Sequence, residues 1–389
     1  MTLVSKQVPG LGRITTHVTY YADTVVQFRG IPYGSVAERF RQAKMIEAWE
    51  EGELDASHFG FRLGAFGFMA SPDIQEDNAR NGDAGVGNYG IWDQVLALQW
   101  IQKNIRSFGG DPARVTVMGE SSGAIDVLFL TLLRSVSVDE LLDAYQCTGS
   151  PMPNWQATVD GNLLHDLPAA SQLPHYTYPS TIRRIMVGDC EKEGLIWAKK
   201  FINPPLATSP LSCLSGHFPA EVGLQLALDY HLDAKPATPV EGMASLSAFC
   251  GDAEFSLPLY EIINSWRNGD AFYFRMRFVN PFSGSFAGTA HHGVDLLFAF
   301  QTYNKLLPQA LAAAAEEMGK HLIRFCHGLS PWPRYNEETT VMCYGPDTVK
   351  ALAKKDDKVG RYEIWDRLRG IQDAWTRASR ELRNERIYS

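Results

Sequence analysis

The 389-residue sequence has no dense run of lysine or arginine, no long apolar run and no closely spaced cysteine pair. It carries 44 acidic and 36 basic side chains, for a formal net charge of −8. Because phosphate binding needs clustered basic side chains, we expect no nucleic-acid partner. No stretch approaches the ~18 apolar residues of a membrane span, and residues 1–20 lack the apolar core of a secretory signal. These absences favour a cytoplasmic protein without a membrane span.

The six cysteines are far apart and form neither a Cys-x-x-Cys pair nor the paired Cys/His spacing of zinc fingers. We therefore expect mostly free thiols, no metal site and no cofactor. Hydrophobic residues make up 45% of the chain and charged residues only 21%, which is typical of a packed globular protein. We expect one large domain over residues 1–389.

Apolar spacing predicts the elements that place the chemistry. A helix is expected over 88–108, with Asn88 as N-cap and Gly109 as the stop. The other predicted elements are a hairpin over 13–33, a strand end and tight loop over 61–70, a strand over 115–118, a helix over 124–133, loops over 148–180 and 203–219, strands over 184–188 and 271–279, and a surface helix over 362–375.

The stretch VTVMGESSGA contains a Gly-x-Ser-x-Gly pentapeptide between the predicted strand 115–118 and the predicted helix 124–133. A strand, a sharp turn and a helix form a nucleophile elbow, in which Gly119 and Gly123 permit a cramped backbone that presents Ser121. The amide of Ser122 would then donate to an oxyanion at the helix N-terminus. The alternative is a turn built from small residues.

A nucleophilic serine needs a base and an orienting acid. Of the ten histidines, His291 and His292 follow the predicted strand 271–279, where catalytic loops gather. His321 and His327 fall in or at the end of a predicted helix, and His17 and His58 precede the serine. A hydrogen-bonded loop histidine is the alternative interpretation of either member of the 291–292 pair.

Three carboxylates compete for the role of the acid. Asp189, Glu191 and Glu193 all follow the predicted strand 184–188, and spacing alone does not choose among them. The alternative is a solvated helix start at which acids are favoured by the helix dipole.

Residues 85–90 match Gly-x-Gly-x-x-Gly and open a helix, but a polar loop precedes them. The dinucleotide fingerprint requires a strand directly before the glycines. We interpret this segment as a glycine-rich entry to a helix.

Collinear segments spread over most of the chain resemble the type-B carboxylesterase and cholinesterase-like family, particularly its fungal intracellular members. The matching segments are FRGIPYG (28–34), FRLGAFGFMASP (61–72), residues 87–124, VDG (159–161), EKEGLIW (191–197), HGVDLLFAF (292–300) and WPRY (332–335). The resemblance implies an α/β-hydrolase fold, an α/β class with a mostly parallel central sheet and helices on both faces.

By the same resemblance, Ser121 matches the nucleophile, Glu193 the acid and His292 the base. Glu120 matches the glutamate beside the nucleophile, and Lys192 stands where the family has Asp or Asn. No cofactor or metal is implied.

Two family segments are missing, near 60/61 and near 133/134. The first normally carries the His-Gly-Gly-Gly loop that supplies most of the oxyanion hole; the only Gly-Gly here is 109–110, already used as a helix stop. Both neighbours of the nucleophile strand would also be missing, which predicts a reduced sheet. Unpaired buried backbone groups cost ~1–3 kcal/mol each, so strand 115–118 cannot stay buried without new partners.

The resemblance implies a carboxylic ester hydrolase that acts on a small-molecule ester through an acyl-enzyme intermediate. The alternative is a catalytically impaired or inactive α/β-hydrolase-like protein: a degenerate or mis-spliced product, or a binding scaffold.

Overall fold

The computed structural model describes residues 2–18, 31–49, 60–83, 85–133, 157–158, 160, 171–175, 178–201, 209–235 and 238–383. The chain divides into two compact units, Met1–Leu167 and Pro168–Ser389. The single domain expected over 1–389 stays a prediction. Within the described residues, no helix combines the length and apolarity needed to cross a bilayer.

The described residues of the first unit form a hairpin, a pair of very short strands and four α-helices. These elements are β1 (Thr2–Val8), β2 (Gly12–Val18), β3 (Gly34–Ser35), β4 (Lys44–Met45), α1 (Gly64–Phe68), α2 (Pro72–Arg80), α3 (Tyr89–Asn104) and α4 (Ser122–Leu133). A small core forms where the hairpin packs on α3, with Val8, Ile14, Trp49 and Trp100 buried together. The N-terminal hairpin is therefore held by apolar burial against α3, the longest described helix of this unit.

A hairpin spans Thr2 to Val18, with Thr2 paired to Val18, so residues 13–18 form its second strand. Residues 19–30, which make up most of the hairpin predicted over 13–33, lie outside the described residues, and that prediction stays a prediction. Residues 61–70 contain the short helix α1 rather than a strand end. Arg62 explains the difference: its guanidinium donates to both oxygens of Asp93 on α3 at 2.8 and 2.7 Å, which docks this segment on a helix instead of beside a strand.

The predicted helix over 88–108 is confirmed. Helix α3 runs from Tyr89 to Asn104, continues as a 3₁₀ turn over Ile105–Phe108, and ends at Gly109 with φ +82°. Asn88 holds the N-cap position but does not cap with its side chain. Its amide instead pairs with the backbone of Thr158, through Nδ2 to the carbonyl at 2.6 Å and from the Thr158 N–H to Oδ1 at 2.7 Å. The cap residue therefore anchors a distant segment.

The strand predicted over 115–118 is wrong. Residues 115–120 form no strand with any described part of the chain, and Val117 and Met118 are 41% and 55% exposed. A strand needs ladder partners for its N–H and C=O groups, and exposure to water satisfies those groups when partners are missing. The helix predicted over 124–133 is confirmed as α4, which begins at Ser122.

The second unit contains the principal sheet of the described chain. Its strands are β5 (Arg184–Cys190), β6 (Asp270–Met276), β7 (Thr340–Tyr344) and β8 (Val349–Ala353). Its helices are α5 (Pro210–His217), α6 (Ala220–Asp229), α7 (Pro239–Gly251), α8 (Leu257–Ser265), α9 (Asp295–Ala299), α10 (Gln309–Cys326), α11 (Tyr335–Glu338), α12 (Tyr362–Arg367) and α13 (Gln372–Leu382). The strands predicted over 184–188 and 271–279 are confirmed as β5 and β6.

The sheet has the order β5-β6-β7-β8, with the first two pairings parallel and the last antiparallel. Alternate residues of β6 point to opposite faces. Phe272 packs in the cluster that includes Met318 of α10, whereas Tyr273 packs edge-on against Tyr335 of α11. Helices therefore cover both faces, which explains why β6 is almost continuously buried.

Two further predictions for this unit need correction. The loop expected over 203–219 contains helix α5, because Ser209 caps the helix by accepting the Ser212 N–H at 3.2 Å. The surface helix expected over 362–375 is broken into α12 and α13 at Gly370, whose φ is +87°. Its aromatic residues are buried as expected, with Trp365 and Trp375 fully covered.

The five cysteines of the described residues are free thiols, as predicted. Cys147 and most of the predicted loop over 148–180 lie outside those residues.

Candidate active site

The carboxyl ends of β5 and β6 lie at the same edge of the sheet because the two strands are parallel, with Cys190 opposite Met276. The chain leaving β5 is fastened to the loop after β6. The N–H of Glu191 donates to the Met276 carbonyl at 2.9 Å, and the N–H of Lys192 donates to the Ala290 carbonyl at 3.0 Å. Parallel α/β sheets place ligand sites at this edge, and both predicted catalytic loops of the second unit meet there.

Glu193 is the carboxylate that meets a histidine. Its Oε2 lies 2.5 Å from Nδ1 of His292, and its Oε1 accepts the N–H of Cys190 at 2.6 Å. Glu193 is only 7% exposed. Burial raises the pKa of its carboxyl, and the hydrogen bond and charge of His292 and the Cys190 N–H oppose that rise. With Nδ1 held by a carboxylate, the imidazole keeps Nε2 as its second, proton-accepting nitrogen.

Asp189, the first of the three competing carboxylates, has a different set of partners. It accepts the Ser256 hydroxyl at 2.5 Å and the Tyr273 hydroxyl at 3.2 Å, and its Oδ1 lies 3.3 Å from Nε of the buried Arg275. Burial raises its pKa, and Arg275 opposes that rise. Asp189 therefore belongs to an internal charge cluster under the sheet rather than to the histidine.

His291 has the environment of a loop histidine. Its Nδ1 lies 2.7 Å from the His292 carbonyl oxygen, its Nε2 lies 3.2 Å from the Asn280 amide, and its ring packs on Phe286 at 4.9 Å. Both ring nitrogens are thus engaged within the loop. The alternative interpretation of this pair, a hydrogen-bonded loop histidine, describes His291, whereas His292 faces Glu193.

The ring of His292 is also held from the side. Phe255 packs against it with ring centroids 4.7 Å apart, and Trp197 stacks on Phe255 at 5.4 Å. Phe255 lies on the π-helical turn Asp252–Ser256, a feature that is frequent at functional sites. Phe255 cannot be recognised from the sequence, because a π-turn that continues from α7 has no periodic pattern of its own.

Gly194 lets the acid reach its position. A Cβ built at residue 194 would lie 2.0 Å from the Ser247 carbonyl oxygen and 2.9 Å from the Gly251 nitrogen. The backbone after Glu193 therefore crosses α7 at a separation that any side chain would prevent. This close crossing explains the glycine that follows the acid.

Ser121 lies in the first unit, at the turn between residues 115–120 and α4. Its φ is +56°, a conformation that costs of order 1–3 kcal/mol in a non-glycine residue and that clusters at active sites. A Cβ at Gly119 would lie 2.1 Å from the Gly123 carbonyl oxygen, whereas a Cβ at Gly123 would meet nothing within 4 Å. The first glycine of the pentapeptide is therefore required by the tight turn.

Ser122 and Glu120 flank the predicted nucleophile. Ser122 is the first residue of α4, so its N–H belongs to the first turn, where helix N–H groups have no acceptor within the helix. The Glu120 carbonyl accepts the Gly123 N–H at 2.9 Å, which closes the turn around Ser121. The roles of Ser121, Ser122 and Glu120 in catalysis, and the convergence of Ser121 with Glu193 and His292, stay predictions.

The other candidate histidines have separate positions. His321 is buried in α10, where its Nδ1 lies 2.8 Å from the Tyr344 hydroxyl, and burial lowers its pKa. His17 lies in β2, His327 follows α10, and His58 lies outside the described residues.

Residues 58–133 match the model of the carboxylesterase family. A cholinesterase from Branchiostoma lanceolatum is 43% identical over 98 residues, which make up 25% of each chain. A carboxylic ester hydrolase from Gibberella moniliformis is 53% identical over 64 residues, covering 16% of this chain and 12% of that one. A fumonisin B1 esterase from Sphingopyxis macrogoltabida is 52% identical over 66 residues, 17% of this chain and 12% of that one. The chain thus matches a quarter or less of the length of these relatives.

Among solved structures, a PNB esterase superposes with a TM-score of 0.64 at 16% identity, over 93% of this chain and 99% of that chain. The likeness shows the fold, which is the α/β-hydrolase fold expected from the sequence.

Proposed function

We propose that this chain, whose residues 58–133 match the carboxylesterase family model, is a type-B carboxylesterase that hydrolyses carboxylic esters with Ser121, His292 and Glu193 as its triad. The observation that carries the proposal is the buried contact between Glu193 and Nδ1 of His292, at 2.5 Å. It gives the imidazole the orientation and tautomer that a general base needs. The left-handed backbone of Ser121, with φ +56°, supports its assignment as the nucleophile.

In the proposed reaction, Nε2 of His292 removes the proton from the Ser121 hydroxyl as Oγ attacks the ester carbonyl carbon. Glu193 stabilises the imidazolium that results. The tetrahedral intermediate collapses as the imidazolium protonates the leaving alcohol, and an acyl-serine remains. Water, deprotonated by His292, then attacks the acyl-serine, and the imidazolium returns that proton to Oγ of Ser121 as the acid leaves.

The proposed oxyanion donor is the backbone N–H of Ser122, assisted by the positive end of α4. One oxyanion donor alone is worth about 10²–10³ in turnover. Since the sequence contains no His-Gly-Gly-Gly loop, we expect turnover to be slow compared with an esterase that has all its donors.

Turnover of a p-nitrophenyl ester by the wild type and Ser121→Ala tests the proposal. Ser215→Ala is the matched control, because this serine lies on the exposed face of α5 and donates only to the Leu211 carbonyl in its own helix. We expect hydrolysis that is lost in Ser121→Ala and retained in Ser215→Ala. Equal rates in all three proteins would contradict the proposal.

The second candidate is a catalytically impaired α/β-hydrolase-like scaffold. The exposure of Val117 and Met118, 41% and 55%, favours it, because no strand among the described residues gives residues 115–120 the sheet support that holds a nucleophile elbow rigid. Ester turnover in the wild type well above that of Ser121→Ala would exclude this candidate.

A further inference from the structure

A cysteine, a histidine and a glutamate converge where helices α5 and α13 pack together. Cys213 and His217 are one turn apart on α5, and Glu381 is in the last turn of α13. The Cys213 sulfur, a His217 ring nitrogen and a Glu381 carboxylate oxygen all lie within 4.8 Å of one another. None of these residues belongs to the proposed triad.

We propose that Cys213, His217 and Glu381 form a binding site for a transition-metal ion such as Zn²⁺, linking α5 to α13. The donor set is one thiolate, one imidazole and one carboxylate, which are the three ligand types that zinc takes in proteins. A water molecule would complete the tetrahedron, since zinc sites with three protein ligands leave the fourth position to solvent.

The helix geometry presents two of the ligands together. Residues four apart in a helix lie on the same face, and the same i, i+4 spacing serves a pair of ligands in helical zinc motifs. Helix α5 is fixed at its start by the Ser209 cap and by Pro210 in its first turn. The two ligands are therefore placed by a defined helix rather than by a loop.

The third ligand already lies in contact with the second. Nε2 of His217 is 2.8 Å from Oε2 of Glu381. Zinc–nitrogen and zinc–oxygen bonds of about 2.0–2.2 Å hold two tetrahedral ligands roughly 3.4 Å apart. The contact would therefore open by about half an ångström to admit the ion, which a rotation of the glutamate side chain can supply.

The three proposed ligands become more exposed to solvent in the order Cys213, His217 and Glu381. Cys213 is 1% exposed, whereas the side chains of His217 and Glu381 are 15% and 34% exposed. An ion could thus enter from the glutamate side, with the thiol as the deepest ligand. Binding of the ion would displace the proton of the Cys213 thiol into solvent.

The sequence predicted no metal site, because Cys213-x-x-x-His217 is a single ligand pair and its third partner is 164 residues away in the chain. Motif searches detect zinc sites by two local pairs. The packing of α5 on α13 supplies what the linear pattern lacks.

Titration of the metal-free full-length chain with Co²⁺ tests the site, because cobalt replaces zinc and reports a thiolate ligand by a charge-transfer band in the near ultraviolet. We expect one equivalent of cobalt with that band and with the absorption of a tetrahedral complex. Cys213→Ser should abolish the band. His217→Asn and Glu381→Gln should each weaken binding by about tenfold to a hundredfold or more.

Cys326→Ser is the matched control, because Cys326 is an exposed thiol beside His327, away from the cluster. This variant should keep the full signal. Since Cys213 is buried, Glu381→Gln carries the test if Cys213→Ser fails to fold: Zn²⁺ should raise the melting temperature of the wild type and of Cys326→Ser, but not of Glu381→Gln. Absence of the thiolate band, its loss in Cys326→Ser, or an equal zinc shift in Glu381→Gln would overturn the proposal.

Discussion

Replacement of Glu193 by glutamine tests whether Glu193 determines which ring nitrogen of His292 carries the proton. Glutamine keeps the shape of the side chain and an oxygen that can accept the Cys190 N–H, now received by Oε1 at 2.6 Å. It places an amide NH₂ where Oε2 lies 2.5 Å from Nδ1 of His292. Because an amide donates at that position, Nδ1 must become the acceptor and the ring proton moves to Nε2.

The magnitude follows from that tautomer. A histidine with its proton on Nε2 cannot accept the proton of the serine hydroxyl, and the equivalent change in serine proteases costs about 10⁴ in kcat. We expect kcat for ester hydrolysis to fall by about 10³–10⁴, or roughly 4–5.5 kcal/mol of transition-state stabilisation. KM should change little, since Glu193 is buried behind His292 and is not expected to touch substrate.

The folding stability of Glu193→Gln, unlike its kcat, should not fall below that of the wild type at neutral pH. Burial raises the pKa of Glu193 in the folded protein, so its contribution to stability is full below the unfolded pKa and is lost as pH rises through the folded pKa. In urea unfolding, the wild type should therefore lose stability as pH rises through the folded pKa of Glu193. Glu193→Gln should not show this loss. At neutral pH the variant should be no less stable than the wild type.

Two assays separate these effects: steady-state turnover of a p-nitrophenyl ester, and nitrogen NMR of the histidine rings, which reports the tautomer without any need for activity. A Glu193→Gln protein that keeps turnover within threefold of the wild type, or that keeps the proton of His292 on Nδ1, would refute the reasoning.

Three further predictions concern the framework of the site. Gly194→Ala should destabilise the protein by at least about 2 kcal/mol in urea unfolding, because the new Cβ would lie 2.0 Å from the Ser247 carbonyl oxygen. Gly216→Ala is the control, since a Cβ there meets nothing within 4 Å, and it should leave stability unchanged or increase it. Equal effects of the two substitutions would contradict the close crossing of the backbone at Gly194. Arg361→Gln should cost about 3–5 kcal/mol, because it removes the charge that meets both oxygens of the buried Asp252 at 2.5 Å; an effect below 1 kcal/mol would contradict that pairing. Burial lowers the pKa of His321, so its contribution to stability is present above the unfolded pKa of about 6.5 and is lost as pH falls below it. His321→Gln should therefore reduce the change in unfolding free energy between pH 7 and pH 5. An unchanged dependence on pH would contradict this prediction.

Local periodicity was enough to predict elements that carry their own pattern. Helix α3 has apolar residues at helical spacing and a glycine stop, and strand β6 is apolar on both faces because helices cover both sides of the sheet. These patterns depend on burial alone, so the sequence contains them in full.

Elements that depend on distant partners were not predictable in this way. Residues 115–118 have strand composition, but a strand needs neighbours for its ladder, and the sequence of the segment does not contain them. Residues 61–70 are apolar and glycine-rich, yet the ion pair of Arg62 with Asp93 docks them on α3. Propensity is overridden by tertiary contacts in both cases.

The candidate site likewise has features that the local sequence predicts and features that depend on contacts between distant residues. Spacing placed Asp189, Glu191 and Glu193 together after β5 but could not choose among them, because the choice depends on which oxygen faces His292 across the sheet edge. The family resemblance selects Glu193, whose Oε2 lies 2.5 Å from Nδ1 of His292; its role as the acid stays a prediction. Phe255, which packs on the histidine, had no signal in a single sequence.

The measurement that tests the central claim most directly is the rate at which a fluorophosphonate labels Ser121, mapped by mass spectrometry in the wild type, His292→Gln and His291→Gln. We predict a single label at Ser121 whose rate falls by about 10²–10⁴ without the general base and is retained in His291→Gln. Absence of labelling at Ser121 in the wild type, or a rate that His292→Gln leaves unchanged, would contradict the assignment.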